Sequence, residues 1–408
     1  MWSAPFARAW RPATPLGPDA FMQLALNAHL LNFGDSYRAA GISRYIAGLL
    51  RALQQVDSVN SYTVYVGKTP LPAGLFHAGN FRAAPSSLPT VHPLARIAWE
   101  QVAQPLLLAA RRPALLHSLA FVSPLLWTGA SVVTIYDLSF LMTPERFHTA
   151  NRLYLSALTR VSARRARRVV AISESTRADV IRLLGVDPGR VDVVRPSLEE
   201  RFRPASQGSI AAFVKRKGLP QRFILYVGTL EPRKNLGALI RAFAQVQRRD
   251  SSLTLVLAGG KGWGYDAIFS AVRESGLADR VVLPGYVPAE ELPLWYGAAA
   301  AFAYPSLYEG FGLPVLEALA CGAPVVTSNG SSLPEAAGDA ALQVDATDVE
   351  ALAAALVRLI SDEALRADLR QRGLTHAARF TSERMGREMV RVYDQAVAAG
   401  PADRATTQ

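Results

Sequence analysis

The sequence has a single cysteine, Cys321, so no disulfide can form within the chain, and a reducing compartment is the simplest expectation. It also lacks a long, unbroken apolar run. Two uncharged stretches, 113–136 and 292–308, are interrupted by proline and glycine, whereas a membrane span needs about 20 predominantly apolar residues. Residues 1–20 contain four prolines and no continuous apolar core, which predicts a flexible extension and not a signal peptide. We therefore expect a cytoplasmic protein.

The net charge is +11, from 44 basic and 33 acidic residues. Such an excess favours an anionic partner: a phosphate-bearing ligand, an anionic lipid or a nucleic acid. Basic residues are concentrated at 160–168, which has the sequence RVSARRARR. This segment is either a solvated helix face or a contact with the inner face of an anionic membrane. Nucleic acid is disfavoured, because no recognised nucleic-acid-binding motif accompanies the charge.

The length predicts about two domains. Short buried strands alternate with helices from Phe21 onward, and the pattern restarts near residue 223 after a linker rich in proline, serine and charge at 195–209. Strand–helix alternation predicts parallel sheets covered on both faces, hence an α/β protein with two doubly wound, Rossmann-like domains. The predicted strands are 21–27, 62–67, 131–136, 168–173, 191–194, 223–228, 253–259, 280–285, 301–305 and 324–328.

Other doubly wound enzymes are excluded by their motifs. A dinucleotide-dependent oxidoreductase needs Gly-x-Gly-x-x-Gly after a strand, and the segment GGKGWG at 259–264 does not have that spacing. A P-loop NTPase fails as well, because Tyr62 occupies the place of the first glycine before the Gly-Lys-Thr at 67–69.

The loop GTLEPRKN at 228–235 is the first candidate site. Arg233 and Lys234 stand at the start of a helix that Asn235 is placed to cap. Helix N-termini bind anions, so two cations here predict a diphosphate clamp. The alternative is an exposed basic turn, but cations are poorly placed there as plain surface residues because they oppose the helix dipole.

The second candidate site is the segment from Pro305 to Val326, which carries Glu309 and Glu317 around a glycine-containing loop. Glu309 follows a strand, whereas Glu317 is expected in the first turn of a helix that begins at Pro314. The glycines let backbone amides approach a ligand closely. One carboxylate could accept hydrogen bonds from sugar hydroxyls and the other from a ribose diol.

These motifs, GTLEPRKN and EGFGLPVLE, resemble those of the retaining glycosyltransferases of the GT-B fold in the large family 4, and the likeness is closest to mannosyltransferase-type members. The resemblance covers nearly the whole chain after Phe21, including GISRY at 41–45, YDLSFLMTPERF at 136–147 and FTSERMGREMVRVYDQ at 380–395. It implies two Rossmann-like domains facing a cleft: an acceptor-side domain at 21–200 and a nucleotide-sugar domain at 201–385. A final helix and tail, 386–408, would cross back onto the first domain.

The resemblance implies a role for each charged residue. Arg233 and Lys234 would bind the donor diphosphate, Glu309 the hydroxyls of the transferred sugar, and Glu317 the nucleotide ribose. Arg233, Lys234 and Glu309 are thus the expected catalytic residues. Further residues would line the donor sugar, diphosphate or base: Gly41, Gly228, Val287, Gly310, Phe311, Gly312 and Leu313.

The first domain departs from the family pattern at one informative position. Family members usually have histidine before the aspartate of YDLSF, and this chain has Tyr136. His117 resembles a position that faces the cleft, or is a core histidine at a strand end. Asp137 would shape the floor of the acceptor and sugar site or merely hold the turn.

The expected function is therefore that of a retaining glycosyltransferase. It would transfer a hexose, best assigned as mannose from GDP-mannose, to a hydroxyl of a glycan or lipid-linked glycan. No metal or other cofactor is expected, since two cations stand where a metal would otherwise act. The alternatives are a UDP-sugar donor and a non-catalytic scaffold that binds nucleotide sugars.

Overall fold

The computed structural model describes residues 21–33, 41–68, 70–90, 92–142 and 149–399. The predicted N-terminal extension and the end of the predicted C-terminal tail lie outside the described residues. Within these ranges the chain builds two parallel sheets, each covered by helices, as the strand–helix alternation predicts.

The first sheet has seven described strands in the order β3-β2-β1-β4-β5-β6-β7, all parallel. Its strands are short and apolar, and those at the centre are buried on both faces. Their bounds are β1 (Gln23–Asn27), β2 (Ser61–Val66), β3 (Phe81–Pro85), β4 (Leu115–Ser118), β5 (Ser131–Ile135), β6 (Arg168–Ala171) and β7 (Val191–Val193).

The second sheet has six described strands in the order β10-β9-β8-β11-β12-β13, again all parallel. The strand order reverses between β8 and β11, and ligands of open parallel sheets bind beyond the carboxyl ends of strands at such a point. The bounds are β8 (Phe223–Val227), β9 (Thr254–Ala258), β10 (Val281–Gly285), β11 (Ala301–Tyr304), β12 (Val325–Ser328) and β13 (Leu342–Val344).

Fifteen α-helices are described around the two sheets. Helices α2 and α3 are joined end to end by a π-helical turn, Trp99–Ala103. The helix bounds are α1 (Gly41–Val56), α2 (Pro93–Ala98), α3 (Gln104–Arg111), α4 (Ser139–Met142), α5 (Thr149–Arg165), α6 (Glu174–Leu184), α7 (Gln207–Lys217), α8 (Leu236–Arg249), α9 (Asp266–Glu274), α10 (Leu292–Ala298), α11 (Leu313–Ala320), α12 (Leu333–Ala337), α13 (Val349–Ser361), α14 (Glu363–Ala377) and α15 (Ser382–Ala398).

None of these described helices is both long and apolar enough to cross a bilayer. The apolar stretch 113–136, considered above as a span, instead supplies β4, the following loop and β5.

Helix α15 follows the second sheet in sequence but packs against the first. Gly386 lies on the backbone of α1, where an added Cβ would come within 2.7 Å of the Ala52 carbonyl oxygen. The Tyr393 hydroxyl lies 2.8 Å from Nδ1 of His117 on β4. The last helix therefore links the two halves of the chain.

The basic segment 160–168 is partly exposed, and its arginines also hold neighbouring parts of the chain together. Arg160, Arg164 and Arg165 are exposed, as expected of a solvated helix face. Arg164 donates to the carbonyl of Leu184, Arg165 to those of Leu125 and Trp127, Arg167 to those of Ala396 and Val397, and Arg168 pairs with Asp192.

Candidate active site

Glu309 lies at the centre of a buried polar cluster in the loop between β11 and α11. Its Oε1 accepts hydrogen bonds from Lys234 Nζ at 2.5 Å, Ser306 Oγ at 2.6 Å and Tyr304 Oη at 3.1 Å. Its Oε2 lies 3.1 Å from Arg233 Nη1. The two cations and the carboxylate singled out in the sequence are thus in direct contact, at the carboxyl ends of β8 and β11.

The charge of Glu309 is fixed by these contacts. Burial alone would raise the pKa of this carboxyl, which is only 8% exposed, but the adjacent Lys234 and Arg233 outweigh burial and lower its pKa to about 2. Glu309 is therefore ionised at every physiological pH, and it serves as a hydrogen-bond acceptor and counter-charge and not as a proton donor.

Arg233 and Lys234 lie in a 3-10 turn, Pro232–Lys234, that directly precedes α8. Arg233 also pairs with Glu231 at 2.8 Å and donates to the carbonyl of Tyr308 at 2.6 Å. Lys234 is 7% exposed. This environment is inconsistent with the alternative of an exposed basic turn.

Asn235 does not cap α8 with its side chain, contrary to the expectation from sequence. It adopts a left-handed backbone with φ of 58°, and its Nδ2 donates to the carbonyl of Ala346 at 2.6 Å. Asn235 thereby turns the chain sharply after Lys234 and ties the turn to the segment beyond β13.

Glu317 lies in the second turn of α11 and not in the first, and it is 1% exposed. Tyr296 Oη donates to its Oε2 at 3.0 Å. Its Oε1 lies 2.6 Å from Nη1 of Arg44, which comes from helix α1 of the first domain. Burial raises the pKa of Glu317, although the charge of Arg44 acts in the opposite direction.

Arg44 was not among the site residues expected from the sequence, although it lies inside the GISRY motif. Its guanidinium also pairs with Glu199 at 2.9 Å and lies 5.3 Å from the centre of the Phe202 ring. Both of these residues belong to the segment that joins the two domains, so Arg44 connects α1, the linker and α11. A basic residue three positions after the motif glycine, Gly41, was the only signal available.

The glycines of the loop allow close contact between the two domains. A Cβ on Gly310 would lie 2.2 Å from the carbonyl oxygen of Tyr136, in the first domain. Gly312 has φ of 107° and precedes α11, and a Cβ there would meet Leu333 at 2.7 Å. In the structure the absence of a side chain at Gly310 serves packing across the cleft.

Several further contacts cross the cleft at the same place. Tyr308 Oη donates to Asp179 at 2.9 Å and accepts from the backbone N–H of Leu138 at 3.2 Å. Arg195 pairs with Glu335 at 2.6 Å. The two domains are therefore in contact along the cleft.

The remaining donor-side residues have the following positions. Gly41 begins α1 with φ of 32°, Gly228 ends β8, and Val287 is buried just after β10. Phe311 is buried with its ring 5.6 Å from that of Phe380, and Leu313 is the first residue of α11.

His117 does not face the cleft. It is fully buried, and its two ring nitrogens each lie 2.8 Å from a hydroxyl, that of Tyr393 and that of Thr134. Burial lowers its pKa to about 3. The core interpretation of this histidine therefore fits the structure, and the assignment to the acceptor and sugar floor does not.

Tyr136 and Asp137 also serve the local structure. The Tyr136 hydroxyl donates to the carbonyl of Leu119 at 2.6 Å, and its ring packs against that of Tyr45. Asp137 accepts from the backbone and hydroxyl of Ser139, which holds the turn. Burial lowers the pKa of Arg233, but the charges of Glu309 and Glu231 and, to a smaller extent, of Asp137 raise it above its ordinary value.

Within the described ranges, no three His, Cys, Asp or Glu side chains are grouped so that they could hold a metal ion.

The fold and this cluster define a glycosyltransferase of the GT-B class: two parallel α/β domains with a cation–carboxylate site in the cleft between them. Two family models match the chain. "Glycosyltransferase Family 4" matches residues 39–199, and "Glycosyl transferases group 1" matches residues 210–376. The chain belongs to this family of glycosyltransferases.

Curated relatives are about one-third identical to the chain over the segments that align. It is 35% identical to the O-antigen chain mannosyltransferase B of Escherichia coli over 267 residues, which is 64% of this chain and 70% of the relative. It is 37% identical to the D-inositol 3-phosphate glycosyltransferase of Salinispora arenicola over 253 residues, 58% of this chain and 56% of the relative.

A solved structure has the same fold. The sucrose-phosphate synthase of Thermosynechococcus elongatus superposes with a TM-score of 0.74 at 23% identity, covering 93% of this chain and all of that one. The predicted GT-B architecture is thereby confirmed.

Proposed function

We propose that the chain transfers a mannosyl group from GDP-mannose to a hydroxyl of a glycan or lipid-linked glycan, with retention of configuration and without a metal ion. The observation that carries this proposal is the convergence of Arg233 and Lys234 on Glu309 at the carboxyl ends of β8 and β11. The E. coli relative, a mannosyltransferase of O-antigen chains, supports both the sugar and the class of acceptor.

The cluster has hydrogen-bonding groups that remain available to a nucleotide-sugar donor. Lys234 has three N–H donors, and its described contacts, with Glu309 and Tyr304, use two of them. Oε2 of Glu309 contacts Arg233, whereas Oε1 receives three donors. One N–H of Lys234 can therefore donate to a diphosphate oxygen, while Oε2 can accept from a sugar hydroxyl.

In the proposed reaction the bond between the anomeric carbon and the diphosphate oxygen breaks while the oxygen of the acceptor hydroxyl forms a bond to that carbon on the same face. The leaving phosphate oxygen takes the proton of the acceptor hydroxyl. Arg233 and Lys234 stabilise the negative charge that develops on the diphosphate. Glu309 orients the sugar through its hydroxyls and, being ionised, also stabilises positive charge on the sugar ring.

A thermal-shift panel with GDP, UDP and ADP tests the donor site. A nucleotide at a hundred times its Kd stabilises the protein by about 2.7 kcal/mol, which raises Tm by a few degrees. We expect the largest shift with GDP. The largest shift with UDP would instead assign the donor to a UDP-sugar, and no shift with any nucleotide would refute the proposed site.

The same panel on Lys234→Met locates the diphosphate. Because Lys234 is the buried partner of Glu309, this variant will melt at a lower temperature even without ligand, so the measured quantity is the shift that the nucleotide produces. Lys215→Ala, which removes an exposed lysine on α7, is the matched control. Equal shifts in all three proteins would place the diphosphate elsewhere.

We also propose a peripheral contact with the cytoplasmic face of an anionic membrane, through the outer face of α2, the π turn and α3. Leu94, Val102 and Leu106 on this face are 81%, 62% and 70% exposed, and Arg111 and Arg112 are exposed at its end. Apolar side chains flanked by cations suit an anionic lipid surface.

Sedimentation with vesicles of phosphatidylglycerol and phosphatidylcholine tests this contact. Val102→Gln with Leu106→Gln should abolish sedimentation, whereas Val59→Gln, at another exposed valine of the first domain, should not. Unchanged sedimentation of the double variant would exclude this face. The arginines at 164–168 are unsuitable for the test because they hold the domain together.

A further inference from the structure

The end of β12 and the turn after it, 327–332, present four hydroxyl groups to the loop that carries Glu309. Each of these hydroxyls donates to a main-chain carbonyl at the end of β11 or in that loop. Thr327 donates to the carbonyl of Tyr304 at 2.9 Å, Ser328 to that of Ser306 at 2.5 Å, and Ser331 and Ser332 to that of Glu309 at 2.6 and 2.9 Å. The course of the loop is therefore fixed by side chains from the neighbouring strand and turn.

Ser331 makes the closest connection to Glu309. Its Oγ donates to the Glu309 carbonyl and also accepts from the Glu309 backbone N–H at 3.2 Å. Both main-chain polar groups of Glu309 are thus bound by one side chain. Ser332, which is fully buried, adds a second donor to the same carbonyl. The main chain of Glu309 is therefore held from outside its own loop.

The backbone of Ser331 is left-handed, with φ of 56°. This conformation is costly for residues other than glycine, and it persists where the surrounding structure enforces it, commonly at functional sites. Glycine would suit the backbone better, but glycine has no hydroxyl to bind Glu309. The backbone at this position therefore favours one residue type, and the contact with Glu309 requires another.

The turn that carries Arg233 and Lys234 supplies a second support for the loop. The carbonyl of Arg233 accepts from the backbone N–H of Leu307 at 2.9 Å and from Ser306 Oγ at 3.2 Å. The loop is thus bonded to both of its neighbours, the turn before α8 and the turn before α12. The position of the Glu309 carboxylate beside the two cations follows from these supports.

We propose that Ser331, supported by Ser332, is a positioning residue whose hydroxyl holds the main chain of Glu309, so that the carboxylate faces the sugar of the bound donor. This assignment rests on the proposed transferase reaction, in which Glu309 orients the sugar through its hydroxyls. Both serines act through Glu309 and not on the donor itself. Since other side chains hold the nucleotide, namely Lys234 and Glu317, the hydroxyl of Ser331 matters for the sugar and not for nucleotide affinity.

Two substitutions separate the hydroxyl of Ser331 from its backbone. Ser331→Gly suits the left-handed backbone and removes the hydroxyl. Ser331→Thr keeps the hydroxyl, but a β-branched residue is unfavourable at positive φ. The matched control is Ser361→Gly on α13, where an exposed serine hydroxyl donates to the carbonyl of Val357 at 2.9 Å.

The first readout is the release of nucleotide from GDP-mannose and from UDP-glucose, with the Kd for GDP and UDP measured beside it. We expect Ser331→Gly to lower kcat on the order of 10- to 100-fold, because a displacement of about 1 Å at a reacting centre has an effect of that size. The Kd for the nucleotide and the turnover of Ser361→Gly should not change. Ser331→Thr should turn over faster than Ser331→Gly although it melts at a lower temperature.

The opposite results would overturn the proposal. Native turnover in Ser331→Gly, or slower turnover in Ser331→Thr than in Ser331→Gly, would mean that the backbone conformation matters and the hydroxyl does not. A rise in the nucleotide Kd as large as the fall in turnover would mean that the whole site is disturbed and that no specific positioning exists.

The second readout is independent of the reaction and uses the ionisation of Glu309. The ionisable groups around this carboxyl include Lys234, Arg233, the hydroxyls of Tyr304 and Tyr226, and Glu231 beyond Arg233. Burial raises the pKa of Glu309, but Lys234 and Arg233 outweigh burial and lower it to about 2. If the carboxylate shifts away from the cations, its pKa moves back towards the ordinary value of 4.5.

The free energy of unfolding should therefore fall less steeply below pH 4.5 in Ser331→Gly than in the native chain, whereas Ser361→Gly should follow the native slope. Parallel curves for Ser331→Gly and the native chain would show that Glu309 is not displaced and would overturn the proposal. A native chain that binds neither nucleotide and releases none would refute the transferase reaction. The pH curves would still decide whether Ser331 holds Glu309, so the two failures are distinguishable.

Discussion

Nη1 of Arg44 lies 2.6 Å from Oε1 of Glu317, although Arg44 is on helix α1 of the first domain and Glu317 is on α11 of the second. The carboxylate that the family resemblance assigns to the donor ribose is therefore paired across the cleft. Arg44 also contacts Glu199, so one guanidinium joins both domains and the segment between them. One side chain thus holds together both domains and the carboxylate that is expected to bind the ribose.

Replacing Arg44 with alanine should destabilise the protein. The Glu317 carboxylate would remain buried with Tyr296 but without an opposite charge, and an unsatisfied buried group costs about 1–3 kcal/mol. The free energy of unfolding, measured by urea denaturation, should fall by that amount. Adding Glu317→Gln should recover part of the loss, because the uncompensated charge is removed.

The matched control for this prediction is Arg387→Ala, which breaks an exposed ion pair with Glu383 on α15. Exposed pairs contribute about 0–1 kcal/mol. An Arg44→Ala variant no less stable than this control would show that the contact across the cleft carries no net stability.

The ion cluster at Glu309 should make the protein sensitive to acid. The pKa of the Glu309 carboxyl is about 2 in the folded chain, whereas its ordinary value is 4.5. As the pH falls, the unfolded chain therefore binds the proton first. The stabilisation is complete above pH 4.5 and is lost as the pH falls towards 2, with a size of up to about 3 kcal/mol.

Comparison with Glu309→Gln isolates this contribution. The variant should be less stable at pH 7, since Lys234 and Arg233 lose their counter-charge, and its stability should fall less steeply below pH 4.5. Parallel pH curves for the two proteins would contradict the assigned ion cluster.

Gly310→Ala should impair transfer by separating the domains at the loop. The added Cβ would meet the backbone carbonyl of Tyr136 at 2.2 Å, and no rotation of a side chain can relieve that contact. A displacement of about 1 Å at a reacting centre can reduce the rate on the order of 100-fold. Turnover of the donor measures the effect.

Gly330→Ala is the control for Gly310→Ala. An added Cβ at Gly330 would lie 3.8 Å from the nearest atom, the carbonyl oxygen of Leu307, an ordinary contact distance. Equal turnover in the two variants would mean that the contact between Gly310 and Tyr136 is not needed in the reacting state.

His117 should destabilise the protein in mild acid. Its pKa is lowered to about 3 from an ordinary value of 6.5, so the unfolded chain takes up a proton that the buried imidazole does not. The free energy of unfolding should therefore fall as the pH drops from 6.5 towards 3.

His117→Phe should remove that pH dependence while costing about 1 kcal/mol for each lost hydrogen bond, to Tyr393 and to Thr134. Urea denaturation at pH 7.5 and pH 5 measures both effects. The exposed His77, changed to Phe, should leave the pH dependence as it is in the native chain.

The sequence predicted ten of the thirteen described strands and missed three. β3, with the sequence FRAAP, is a partly exposed edge strand that ends in proline, and such a strand has neither alternation nor a continuous apolar run. β4 is four residues long within a longer apolar stretch. β13 has three residues. Their strand conformation depends on pairing with neighbours that sequence alone does not specify.

The candidate site was predictable where one short segment carries the chemistry. Arg233, Lys234 and Glu309 could be identified because each lies in a loop that follows a predicted strand. Such loops all lie at the carboxyl edge of a parallel sheet. The pairing of Arg44 with Glu317 could not be identified, because it depends on how the two domains meet. The prediction at His117 failed for a different reason. Its residue type suggested a chemical role, but its burial between β4, β5 and α15 gives it a structural one.

The π turn at Trp99–Ala103 determines which side chains reach the end of β1. Arg96, Glu100 and Gln104 are spaced by four residues, and in a regular helix of 3.6 residues per turn such a series drifts around the axis. The wider i→i+5 turn offsets that drift, so Glu100 and Gln104 both reach Asn27. A π turn is in effect one residue accommodated within an α-helix. Losing a single residue there would regularise the helix and rotate everything after it by about 100° relative to what precedes it. The set of side chains that cover the end of β1 is therefore determined by chain length in this turn as much as by residue type.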